Sequence, residues 1–181
     1  MKTKMKKLIS IKSVSLLTLA LLAGTTLITG IAWAKSIEYP VHCTYKYGGT
    51  YIEKQWIDED GVLHLRGIIY NLNSYPGSGN IDITIDQGGV CNHNYNLVTG
   101  DGDFWGHDHA VQVTWEGLTG TFSGSHSGIR TNHYDSYSTH IYQGIDGDFV
   151  GWKLKLNGTW NMNPAVKEGV FEGILQNPHS E

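Results

Sequence analysis

The stretch GDFWGHDHAVQVTW, from Gly102 to Trp115, sets His107 and His109 on either side of Asp108. On a strand, residues two apart share a face, so the two imidazoles would point the same way. Such a pair can share a metal ion, and imidazole ligands suit Zn²⁺ or Cu²⁺. His126, in GSHSG, is the leading candidate for a third ligand, with His133, His140 and His64 behind it. The competing reading needs no metal: neutral histidines hydrogen-bonded to a neighbouring strand, or polar groups at a cavity mouth. No organic cofactor is expected.

A near-copy, GDFVGWKLKLNGTW from Gly147 to Trp160, offers a way to orient the first stretch. Lys153 and Lys155 belong in water, so Trp152, Leu154 and Leu156 should face inward. Alignment of the two stretches then puts Trp105, His107, His109, Val111, Val113 and Trp115 on the inner face, with a register-resetting bulge expected near Gly106 and Gly151. Trp105, Trp115 and Trp152, together with the two histidines, become the expected lining of an internal site.

Other chemistry-bearing patterns are sparse. No G-x-S-x-G occurs, and neither Asp101-Gly-Asp103 nor Asp146-Gly-Asp148 continues as a calcium loop, so Asp-Gly turn chemistry explains both. Ten tyrosines and the five tryptophans after residue 34 could form sugar-stacking platforms; strand packing is the simpler use of them.

The elements that would carry these residues are strands. Asp60-Gly61 lies between two alternating segments and signals a hairpin. No segment keeps a 3.6-residue apolar period for three turns. Asn163-Pro164 is expected to start a short helical turn. Before the strands, residues 1–34 combine five lysines, an apolar run from Val14 and an Ala32-Trp33-Ala34 ending, the pattern of a cleaved secretory signal. Residues 35–181 then form one domain. Five of the 13 Lys and Arg lie in the signal, so eight remain against 17 Asp and Glu, a formal charge of −9. Nucleic acid and anionic membrane surfaces are thereby poor partners. The expected location is secreted or extracytoplasmic, and there Cys43 and Cys91 should form a disulfide, worth about 4 kcal/mol in the chain-entropy picture.

Every Phe sits in a Gly-x-Phe-x-Gly unit, at Phe104, Phe122, Phe149 and Phe171. Each ring then has side-chain-free neighbours on its own face, the layering that fills a small closed barrel. The glycine-Phe hairpin over about residues 100–173 resembles that of the allene-oxide-cyclase-like barrels, which include the dirigent proteins. The resemblance implies an antiparallel barrel of about eight strands around an apolar cavity. The cyclases' catalytic carboxylate and the dirigent proteins' acidic and Tyr residues have no matching positions here. The expected class is therefore all-β, a single calycin-like or allene-oxide-cyclase-like barrel. Its expected role is non-catalytic binding of a small, partly apolar ligand. The alternatives are a small enzyme, by cyclase or isomerase chemistry or through the His pair, and a carbohydrate-binding module.

Overall fold

The computed structural model describes residues 36–161 and 168–178. The expected signal segment and the expected turn at Asn163-Pro164 lie outside them. Eight antiparallel strands follow one another around a closed barrel: β1 Ile37–Ile57, β2 Val62–Ser74, β3 Asp82–Asn96, β4 Gly102–Trp115, β5 Leu118–Thr131, β6 Asp135–Gly147, β7 Lys153–Asn161 and β8 Glu168–Asn177. Strand β8 closes the ring on β1, with Ile37 opposite Asn177 and Lys46 opposite Glu168. The all-β, single-barrel expectation holds.

The local chemistry of the turns explains the order. Asp58 Oδ1 accepts the backbone N–H groups of Asp60 and Val62, and Gly61 takes a positive φ of 76°, which closes the β1–β2 hairpin where Asp-Gly predicted it. Glu116 and Gly117 (φ 50° and 85°) make a two-residue turn between β4 and β5, of the kind whose twist matches the strands. Because the strands run up and down, the β1–β2, β3–β4 and β5–β6 connections share one end of the barrel.

The opposite end is filled. Tyr39, Trp115 and Trp152 pack together there, with Tyr39 and Trp115 ring centres 4.7 Å apart. Phe122 and Phe149 meet at 5.4 Å above buried aliphatic side chains such as Val113, Leu154 and Leu175. Phe149 corrects the sequence alignment. In the first stretch Gly-Asp-Phe opens strand β4, whereas in the second it forms the β6–β7 turn and tucks its ring into the barrel end.

The glycine layering is present and has a specific purpose: a ring from a neighbouring strand occupies the space that a Cβ would need. A Cβ on Gly106 would stand 2.6 Å from His126 Nε2, and one on Gly89 2.5 Å from Tyr70 Cζ. At Gly124 a Cβ would lie 2.0 Å from the Ile141 carbonyl oxygen and 2.7 Å from the Tyr142 Cα. Backbone cannot yield cheaply at such a distance. Gly124→Ala is expected to cost about 1–3 kcal/mol by overpacking, seen as a lower thermal midpoint; an unchanged midpoint would contradict this reading of the interior.

The expected disulfide is not formed. Cys43 and Cys91 are free, buried thiols on β1 and β3. Strand β2 separates those strands, and the register sets Cys91 opposite Ile68 and Ile68 opposite Ile52, nine residues along β1 from Cys43, so the two Cα atoms lie much farther apart than two strand spacings of about 10 Å. A disulfide spans less than about 7 Å. Burial instead pushes both thiols up to about 12, with Asp82 adding to the shift at Cys43 and Asp108 at Cys91, so both stay protonated.

Candidate functional site

Toward the end of the barrel that carries the β1–β2 turn, the interior is not filled. A cavity of about 240 Å³ opens among Tyr47 and Ile52 of β1, Leu65, Ile68 and Tyr70 of β2, Cys91 and His93 of β3, Phe104, His126 and Arg130, and Trp160 of β7. It reaches the surface beside Thr50 and Ile52, which are exposed. Aromatic packing shapes its wall. Tyr45 stacks on Phe171 at 4.1 Å, and Tyr47 meets Trp160 edge-on at 4.6 Å and Tyr70 at 5.4 Å.

Behind Tyr70 and His126 lies a buried carboxylate. Asp108, fully shielded from solvent, accepts the Tyr70 hydroxyl at Oδ1 (2.6 Å) and both the Tyr142 hydroxyl (2.6 Å) and His126 Nδ1–H (2.9 Å) at Oδ2. A carboxylate only accepts, so the directions along the chain are fixed. Because Tyr142 donates to Asp108, its oxygen accepts from His140 Nδ1–H at 2.8 Å. His140 Nε2 then accepts the Ser138 hydroxyl at 2.9 Å. His126 donates through Nδ1, and its Nε2 has no partner among the described residues.

The electrostatics agree. Burial pushes the Asp108 carboxyl upward, but hydrogen bonds from His126, Tyr142 and Tyr70 outweigh it and hold the group below the ordinary Asp range. Burial and the adjacent negative charge raise the Tyr142 hydroxyl well above its usual value; burial, Tyr47 and Asp108 do the same for Tyr70. His140 is pushed down to about 3, by burial first and by His126 second. The cluster therefore contains an ionised carboxylate, neutral His140 and two protonated tyrosines, a buried charge with its lone pairs met.

Asp108, His126 and His140 also offer ligand atoms within 4.8 Å of one another, so the group could hold a metal ion.

The residues expected from the sequence fare differently. His107 and His109 point outward and are exposed, with ring centres 4.5 Å apart and His107 Nε2 beside the Ser123 hydroxyl at 3.2 Å. His126 is inward, so it cannot complete a site with them. Trp105 is outward as well, lying over Arg66 at 5.0 Å. Trp115 and Trp152 are inward but belong to the filled end, and none of the three tryptophans lines the cavity. The cause is a bulge. Register shifts between Asp108 and Val111 against β5, and between Ile85 and Gly89 of β3 against β4. Phe104, Gly106 and Asp108 face inward before it, and Val111, Val113 and Trp115 after it. The expected bulge exists, but it lies at His109-Ala110 rather than Gly106. His107→Ala combined with His109→Ala should consequently shift unfolding free energy by less than about 0.5 kcal/mol, as exposed sites do; a loss above 1 kcal/mol in urea melts would refute the outward placement.

Comparison of the chain with protein-family models, with curated proteins and with solved structures finds no match. The functional argument therefore rests on this chain's own cavity. Sequence reasoning missed Tyr70, Tyr142, His93, Arg130 and Trp160 as site residues, since nothing in their local motifs marks them. It named His126 and His140 only as partners of the outward pair. Asp108 did carry a signal: it shares the parity of Phe104, whose glycine-flanked ring had already been read as interior.

Proposed function

We propose that the chain is an exported, non-catalytic barrel that binds a small, partly apolar molecule in its cavity. The observation that carries this is the pairing of an apolar wall, formed by Ile68, Leu65, Phe104 and Trp160, with a few polar groups that converge on the same space. That is the composition of small-molecule sites generally. Size sets the scale of the ligand. An engineered cavity of about 150 Å³ takes up benzene, so 240 Å³ suits one ring with a short substituent, or an aliphatic chain of similar bulk. Export is supported by the basic, apolar and Ala-x-Ala pattern of residues 1–34.

A thermal-shift screen of the mature protein against fragments of about 6–12 heavy atoms tests the proposal. Ligands that bind only the folded state raise the midpoint by mass action. Leu65→Trp, which places a large ring in the cavity, should abolish those shifts. Shifts that survive it would place binding elsewhere and defeat the proposal.

One geometry favours a second reading as an enzyme. Asp108 orients His126 so that the ring's other nitrogen, Nε2, belongs to a cavity-lining side chain. A carboxylate-oriented imidazole is the arrangement of a general base. In that reading His126→Gln would leave fragment binding intact and abolish proton exchange from a bound carbon acid, followed by NMR in D₂O.

A further inference from the structure

The polar groups in the cavity wall are not neutral in their choice of ligand. Among the described residues no carboxylate is paired with Arg130. Its Nε and Nη2 donate to the His133 carbonyl oxygen, and its guanidinium stacks 4.2 Å over Tyr95, which together fix the side chain. Nη1 has no acceptor among the described residues. A guanidinium does not deprotonate in a protein, so Arg130 carries a full positive charge at the cavity wall.

Two further donors face the same space. The Tyr47 hydroxyl has no partner among the described residues, and burial raises it well above its usual range, so it stays protonated. His93 stacks on Phe104 with neither ring nitrogen bonded among the described residues. Burial, then Arg130, lowers it to about 4 and keeps the ring neutral with one N–H. Among the described residues the sealed, unpartnered polar atoms are Trp115 Nε1 and Trp160 Nε1, so these three donors are open to the cavity and available to an anionic ligand.

Among the described residues the buried carboxylate is Asp108, which adds to the shift at Tyr47 but lies away from Arg130. Arg130 follows His126 by four residues on β5, about 13 Å along an extended strand. Asp108, at the His126 level, already has its oxygens capped by three donors. An anion bound near the rim thus avoids it, while an apolar body reaching inward meets Ile68, Phe104 and Trp160.

Resting on the ligand-binding reading above, we propose that the cavity selects small carboxylate anions, the carboxylate paired with Arg130 at the rim and a single ring or short chain directed into the barrel. Charge-assisted hydrogen bonds to a guanidinium are worth enough for about tenfold or greater discrimination over a neutral amide of the same shape.

Benzoate and benzamide are the probes: equal in size, differing in charge. Titration calorimetry at pH 7 in dilute buffer should give benzoate at least about tenfold tighter binding, and added NaCl should weaken benzoate but not benzamide. Arg130→Gln should reduce benzoate to about the benzamide level, the loss on benzoate being at least about tenfold greater than any loss on benzamide. Should that variant fail to fold, the salt comparison on the unaltered chain decides alone. Equal or tighter benzamide binding, or benzoate binding indifferent to salt, would overturn the carboxylate proposal while leaving the ligand-binding reading intact. Binding of neither probe at millimolar concentration would overturn both.

Discussion

Asp108→Ala should destabilise the barrel by about 3–5 kcal/mol. The substitution removes the acceptor for three buried donors, Tyr70, Tyr142 and His126, and each orphaned group costs about 1–3 kcal/mol. Asp108→Asn should cost less than half as much, for a reason specific to this network. A carboxamide nitrogen can donate to His126 Nδ1 and to the Tyr142 oxygen. Tyr142 can then donate to His140 Nδ1, and His140 Nε2 to Ser138, so the whole chain reverses its direction by changing tautomers. Urea unfolding of both variants checks the pair. An alanine variant within 1 kcal/mol of the parent, or an asparagine variant as damaged as the alanine one, would contradict the hydrogen-bond directions assigned here.

Acid should be nearly as damaging. His140 and His93 are held neutral by burial, at about 3 and about 4, whereas an unfolded histidine titrates near 6.5. Between those values the unfolded chain binds more protons than the folded one, so stability falls as pH falls below about 6.5. From pH 7.5 to 5 each site should remove about 2 kcal/mol, roughly 4 kcal/mol in all. The Asp108 carboxyl, depressed in the fold, adds its own loss only at still lower pH, below the ordinary Asp range. His64, raised by its hydrogen bonds to Asp58 and Asn94, works in the opposite sense, but that pair is solvent-accessible and screened. His140→Gln should remove about half of the pH dependence. Stability that is level, or rises, from pH 7.5 to 5 would be incompatible with buried neutral histidines.

The strands and their closure were legible because turn chemistry and glycine spacing are local properties. Asp60-Gly61 and the glycines around Phe104, Phe122 and Phe171 each report on their own few residues. Face assignment along β4 was not local. Lys153 and Lys155 correctly oriented β7, but carrying that parity to β4 assumed that two similar stretches hold equivalent positions. One Gly-Asp-Phe is strand and the other is turn, and the bulge at His109-Ala110 inverts every side chain N-terminal to it. That single inversion turned His107 and His109 outward and brought Asp108 in. The cavity groups were illegible for a different reason: Tyr47, His93, Arg130 and Trp160 come from four strands and meet only when the barrel closes. The cysteine expectation failed because compartment and count say nothing about an intervening strand.

The most direct test is to map a bound probe. In ¹H–¹⁵N and aromatic ¹H–¹³C NMR spectra of the protein titrated with benzoate, shifts should concentrate at Tyr47, His93, Phe104, His126, Arg130 and Trp160. The packed end, Phe122, Phe149, Trp115 and Trp152, should stay unmoved. Perturbations centred on that end or on the outward His107–His109 surface, or none at millimolar benzoate, would contradict a ligand cavity above the Asp108 network.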